Sequence, residues 1–146
     1  MLYNQFLHQL DTSKPAPAYL FLGGSDLLHN EAWKALKERI VPPKAARFNG
    51  EKLHAAECNA EDVINRMRIL PMFGTRQLLM VQNVEEWKKE QKEVLLTYLA
   101  QPNPNACLVL TTLSRKGLEK VEEAVSRHGV VVTFPVLGDK NLPGWL

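Results

Sequence analysis

The chain has 146 residues, 45% of them hydrophobic and 23% charged, the balance of one ordinary globular domain with one core. Eighteen Lys+Arg against 16 Asp+Glu leave a net charge of +2, too even to argue for nucleic-acid binding by itself. Cys58 and Cys107 have neither metal-ligand spacing nor a CxxC and read as packing residues of a reduced, cytoplasmic protein, while no stretch approaches the about 20 apolar residues of a membrane helix and the start lacks a basic signal-peptide region.

In chain order, Leu2, Phe6 and Leu10 mark an amphipathic leader. The first apolar run, Tyr19–Leu22, predicts a strand and is followed by the turn Gly23-Gly24-Ser25. Leu28, Ala32, Leu36 and Ile40 recur on one helical face until Pro42-Pro43 stops that helix. The short polar run Arg47–Asn49 predicts a second strand at a sheet edge. Asn59 is an N-cap residue with Asp62 three positions on, and Val63, Ile64, Met67 and Leu70 form the stripe of the helix it opens. Gln77–Val81 predicts a third strand. A helix is expected over Glu85–Ala100, buried through Trp87, Val94, Leu95, Tyr98 and Leu99. Cys107–Thr111 and Val130–Phe134 predict the last two strands, separated by a helix with Leu118, Val121, Ala124 and Val125 inward and His128-Gly129 at its end. Strands three to five are almost continuously apolar, as expected of parallel strands covered on both faces. The alternation predicts an α/β fold, a three-layer sandwich around a mostly parallel five-stranded sheet.

In such a sheet the first βα turn is the usual phosphate site. A P-loop needs GxxxxGK[ST], with the Lys reaching the phosphates and the Ser/Thr holding magnesium. This turn has no such Lys, Asp26 stands where it would repel a phosphate, and GxGxxG is absent as well. The third strand ends in Gln82-Asn83 rather than in an acidic pair, and Glu85-Glu86 fall in the first turn of the expected helix, where acids suit the helix dipole. ATP hydrolysis is therefore not expected, and the glycine pair reads as a turn kept for its geometry. His8, His29, His54 and His128 have no HxxxH or HExxH spacing and read as surface or cap residues, and Ser25 is not in a GxSxG. No catalytic residue, cofactor site or metal site is expected. Lys88, Lys89 and Lys92 read either as a solvated helix face or as contacts to DNA phosphates or a partner.

One segment stands apart. Leu70-Pro71-Met72-Phe73-Gly74-Thr75 links the Asn59 helix to the third strand. Pro71 ends the helix and Gly74 frees the backbone, yet the short connection carries two large apolar side chains. Either Met72 and Phe73 fold under to cap the core, or they stand at a surface tip and fill a partner's pocket.

The chain resembles the delta subunit of the clamp loader of bacterial DNA polymerase III. The segments that carry the resemblance are Tyr19–Leu28, Met72–Leu79, Leu108–Thr112 and Leu142–Leu146, in that order. It implies a degenerate RecA/AAA+-like (P-loop NTPase-like) domain over residues 1–139, with strand order 5-1-4-3-2, and the truncated start of a second, lid domain at 140–146. It implies no ATP binding and a non-catalytic role within the polymerase holoenzyme, in which the subunit binds and helps open the beta sliding clamp during replication. The clamp-binding pair falls on Met72 and Phe73, with Leu70 as the preceding contact. Implied partners are the clamp, the gamma/tau and delta-prime subunits, and DNA in the assembled loader. The alternatives are a divergent P-loop ATPase and a delta-prime-like subunit. Against the latter, Ser114-Arg115 is followed by Lys116 rather than by Cys, and cysteine zinc ligands are missing. The end of the chain, with Trp145 and Leu146 unburied by anything after them, reads as a domain cut where the next begins, or as a tail folded back on the core.

Overall fold

The computed structural model describes residues 2–12, 16–40, 51–68, 77–104, 106–114 and 116–135. Five strands form one sheet: β1 (Ala18–Leu22), β2 (Glu51–His54), β3 (Gln77–Gln82), β4 (Ala106–Thr112) and β5 (Val130–Thr133). Every strand pairing is parallel and the order is β2-β3-β4-β1-β5, the expected 5-1-4-3-2 read from the other side. Five α-helices accompany them: α1 (Tyr3–Thr12), α2 (Asp26–Ile40), α3 (Ala60–Met67), α4 (Lys89–Leu99) and α5 (Glu119–His128).

The period-two alternation of the strands divides the core into two layers. Leu20, Leu22, Leu79, Val81, Leu108 and Leu110 face one way and pack with α3, α4 and α5. Tyr19, Phe21, Leu78, Met80, Cys107 and Val109 face the other way and pack with α1 and α2. β1 and β4 are buried at every residue, as central strands covered on both sides must be. The α1/α2 layer is aromatic: Phe6 meets Tyr19 and Phe21 edge-on at 5.5 Å, and Tyr3 stacks on Phe134 at 4.7 Å.

Asn59 caps α3 as its sequence context predicts, its Oδ1 accepting from the Asp62 N–H at 2.9 Å, an interaction worth about 1 kcal/mol. At the end of α5, Gly129 passes so close to β1 that a Cβ would lie 2.1 Å from the Ala18 carbonyl oxygen. Two expected elements differ from the sequence reading. The described edge strand is Glu51–His54, while Arg47–Asn49 lie outside the described residues. Of that strand only Leu53 packs against the core, and the ion pair Glu51–Arg66 lies beside it, so its polar sequence gave little strand signal. The helix expected over Glu85–Ala100 is two pieces, a 3-10 turn at Val84–Glu86 and then α4 from Lys89. Trp87 and Lys88 are extended between them. The break turns the buried Trp87 inward, where its indole N–H donates to the carbonyls of Ala55 at 2.9 Å and Cys58 at 3.2 Å. Glu85 and Glu86 therefore sit in the 3-10 turn and not in the first turn of α4.

Candidate functional site

All strands run parallel, so the turns that leave β1, β3 and β4 gather at one edge of the sheet, where ligands of open α/β sheets bind. The turn from β1 to α2 is three residues long. Gly23 and Gly24 have φ of +71° and +76°, which side-chain-bearing residues rarely adopt. A Cβ on Gly24 would lie 2.6 Å from the Cβ of Phe134, so glycine there answers a close approach as well as a backbone angle. Ser25 caps α2: its carbonyl accepts from the His29 N–H, and its hydroxyl from Leu28 at 3.4 Å.

His29 is the correction at this turn. It is fully buried, not a surface or cap residue. Its ring meets Phe134 edge-on at 4.9 Å, and Nε2 lies 2.6 Å from the Gly23 carbonyl oxygen. A carbonyl only accepts, so Nε2 carries the hydrogen. Burial pushes the His29 pKa below its ordinary value, opposed by the Gly23 carbonyl and the carboxylates of Asp26 and Glu85. The helical period held the clue, because His29 precedes Ala32 and Trp33 by three and four positions and so shares their buried face. Phe134 and His29 thus pack against this turn.

The end of β3 is polar. Asn83 takes the left-handed conformation, φ 58° and ψ 53°, which asparagine tolerates better than most residues. Its N–H donates to the hydroxyl of buried Thr111 on β4 at 3.1 Å. His54, at the end of β2, accepts from the Ala56 N–H through Nδ1 at 3.1 Å, a cap as its type suggests. Nε2 is then the hydrogen-bearing nitrogen, 3.3 Å from Glu86 Oε2 and 2.9 Å from the Asn83 amide. With a donor at Nε2, the amide oxygen of Asn83 is the group suited to that contact, and turning the amide over also gives its otherwise unpartnered Oδ1 a donor. Because Nδ1 accepts, Nε2 offers no lone pair, so His54, Asn83 and Glu86 form a clasp and not a metal centre. Among the described residues no group of three or more His, Cys, Asp or Glu could hold a metal ion.

On the opposite layer the N-termini of α4 and α5 lie side by side. Neither has a side-chain cap, and Lys92 Nζ donates to the Gly117 carbonyl at 3.3 Å across the gap. Lys89, Lys92 and Lys120 line a cavity of about 200 Å³ there. Lys88 and Lys89 are exposed and Lys92 half-buried. Both cysteines pack: Cys107 is fully buried, and Cys58, whose thiol burial pushes toward higher pKa, donates to the His54 carbonyl.

Leu70, Met72 and Phe73 lie outside the described residues. The described chain stops at Arg68, the C-cap of α3, and resumes at β3.

The family model for DNA polymerase III, delta subunit, matches residues 19–133. The chain belongs to this family. The span takes in all of the sheet but Ala18, and the Leu70–Thr75 segment of the sequence. Among solved structures, the chain is similar to the DNA clamp loader delta protein of Bacillus subtilis, with a TM-score of 0.79 at 21% identity over 91% of this chain and 42% of that one. A DNA polymerase III gamma subunit-related protein of Thermotoga maritima gives 0.62 at 18% identity, covering 97% of this chain and 46% of that one. The RuvB Holliday junction branch migration motor of Thermotoga maritima gives 0.59 at 13%, covering 90% and 44%. At these identities the likeness is one of fold, and it places the sheet in the RecA/AAA+-like class. The chain spans less than half the length of each of these proteins. No curated protein matches it. Among the described residues no helix is long and apolar enough to cross a membrane.

Proposed function

We propose that this chain is the non-catalytic, clamp-binding N-terminal domain of a cytoplasmic delta subunit, and that it grips the beta sliding clamp through Met72 and Phe73, with Leu70 as a flanking contact. The observation that carries the reading is the delta-family match across residues 19–133, which includes a short connection bearing two large apolar side chains. Burying one such side chain in a partner's pocket contributes about 1.5–3 kcal/mol. Residues 1–139 form the domain in this reading, and 140–146 open the lid. Gamma/tau and delta-prime subunits assemble with it through the full-length protein.

Ring opening follows if the plug binds the open clamp more tightly than the closed one, since only differential affinity shifts such an equilibrium. ATP held by other subunits would time the exposure of the plug. This chain takes no part in hydrolysis: it lacks the P-loop Lys, and Phe134 and His29 pack against its first turn. DNA in the assembled loader has a suitable surface in the uncapped N-termini of α4 and α5 with their lysines, where backbone N–H groups and ammonium groups suit phosphates.

The test is clamp affinity. Phe73→Ala is expected to weaken clamp binding at least tenfold with an unchanged melting temperature, and the double Met72→Ala, Phe73→Ala change to come close to abolishing it. Wild-type affinity in Phe73→Ala overturns the assignment. Tight, magnesium-dependent ATP binding by the wild type would favour the divergent ATPase instead.

A further inference from the structure

We propose that Asn103 is a positioning residue for clamp binding: from the loop between α4 and β4 it fixes the end of α3, two residues before Leu70. The inference rests on the clamp-binding reading and adds to it a residue that need not touch the clamp. The last carbonyls of a helix have no partner within it. At the end of α3 the Met67 carbonyl accepts from Asn103 Nδ2 at 2.8 Å, across 36 positions of sequence. A carbonyl only accepts, so the amide nitrogen is the atom that must face it. Asn103 is itself held through its backbone. Its N–H donates to the hydroxyl of buried Tyr98 at 3.2 Å, and its carbonyl accepts from the Ala106 N–H at 3.1 Å. Pro102 and Pro104 on either side restrict its backbone further. Ala106 opens β4 and pairs with Gln77, the first residue of β3. One turn therefore holds Met67 by a side chain and Gln77 by sheet pairing.

Arg68 and Gln77 are the described residues on either side of the connection that carries Leu70, Met72 and Phe73. Leu70 follows Arg68 by two positions, so covalent geometry keeps their Cα atoms within about 7 Å. Holding the end of α3 therefore limits where Leu70 can stand. Phe73, three positions further on, is limited less tightly. The start of α3 is tied separately: the Ala60 N–H donates to Oε1 of Gln91, on α4, at 3.1 Å. Loss of the Asn103 side chain thus frees the end of the helix and leaves its start in place. A binding segment that spends less of its time in the competent arrangement shows an apparent affinity lowered by that fraction.

The experiment measures affinity for the beta clamp and amide hydrogen exchange at a temperature where every variant is folded. The chains are the wild type, Asn103→Ala, Asn103→Asp (the same shape without the donor), Phe73→Ala, and Asn103→Ala combined with Phe73→Ala. Losing the one hydrogen bond should weaken clamp binding about threefold to tenfold in both Asn103 variants. Exchange of the Arg68 amide, which donates to the Ile64 carbonyl in the last turn of α3, should speed up in the same two chains. In the Phe73→Ala background Asn103→Ala should weaken binding by a clearly smaller factor, which a merely structural role would not produce. Wild-type affinity in both Asn103 variants overturns the proposal, as does unchanged exchange at Arg68 or a full repeat of the loss in the Phe73→Ala background. Wild-type affinity in Phe73→Ala marks a different failure, that of the clamp-binding reading itself, and the proposal falls with it.

Discussion

Two turns at the same edge of the sheet are held by opposite physics. The turn after β1 is held by packing: a partly exposed glycine pair passes under Phe134, and His29 beside it is buried among rings. The turn after β3 is partly wet: Asn83, His54 and Glu86 exchange hydrogen bonds, with the His54 and Glu86 side chains 34% and 48% exposed. Nucleotide-binding relatives of this fold place phosphates at the first position and acidic residues at the second. Here Phe134 packs beside the first position and a hydrogen-bonded clasp sits at the second. The comparison teaches that two turns at one sheet edge can be stabilised by different routes, and that the two routes respond differently to perturbation.

Substitutions at the turn after β1 should have the larger effects. Phe134→Ala removes a side chain that stacks on Tyr3 and contacts Phe21 and His29, and should cost about 3–4 kcal/mol, read as a lowered urea midpoint with an unchanged slope. A cost below about 1 kcal/mol would mean that the turn is not held by packing. Gly24→Ala should follow at about 2–3 kcal/mol, because a Cβ is both strained at φ +76° and overlapped by Phe134. In the double variant Gly24→Ala, Phe134→Ala part of that overlap is relieved, so the two costs should sum to more than the double variant's loss.

The wet turn should yield less. His54→Ala removes the acceptor for the Ala56 N–H and the donor to Glu86, both near solvent, at about 1 kcal/mol by thermal melting. The smallest and most selective effect is that of pH. His29 has a pKa lowered by burial in the folded state, so the unfolded chain takes up its proton first as pH falls. Stability should therefore be full above the ordinary histidine value of about 6.5, fall as pH drops below it, and level off beneath the folded-state pKa. Comparing urea midpoints at pH 7.5 and 5.5 for wild type and His29→Gln isolates this component, and an equal pH dependence in both would remove His29 as its source.

How much of this was legible varies with the kind of residue. The parallel sheet could be read because Gln77–Val81 and Cys107–Thr111 must be apolar on both faces; Val130–Phe134, read the same way, instead supplies the partly exposed edge strand β5, and the strand order came with the family resemblance. Asn59 could be read because a cap is a local interaction. The polar edge strand was expected, but at Arg47–Asn49 rather than Glu51–His54, because a strand paired on one side and wet along its length needs few apolar residues to mark its bounds. The break before α4 was missed because Trp87 looks the same in a helical stripe as in an extended link that buries it. His29 was read as a surface or cap residue because its type outweighed its place in the helical period.

By itself the sequence determined which segments are strands and helices over most of the chain, that the P-loop Lys and the acidic pair after the third strand are missing, and the apolar connection at Met72-Phe73 that a clamp-binding reading needs. Those properties reside in single residues or local periods, where hydrophobicity and backbone preference act over a few positions. What packs against the first turn was decided only by the tertiary structure, because Phe134 and His29 lie more than a hundred residues apart and meet only once β5 pairs with β1. Such contacts follow from which strand lies beside which, and no local pattern encodes that neighbour.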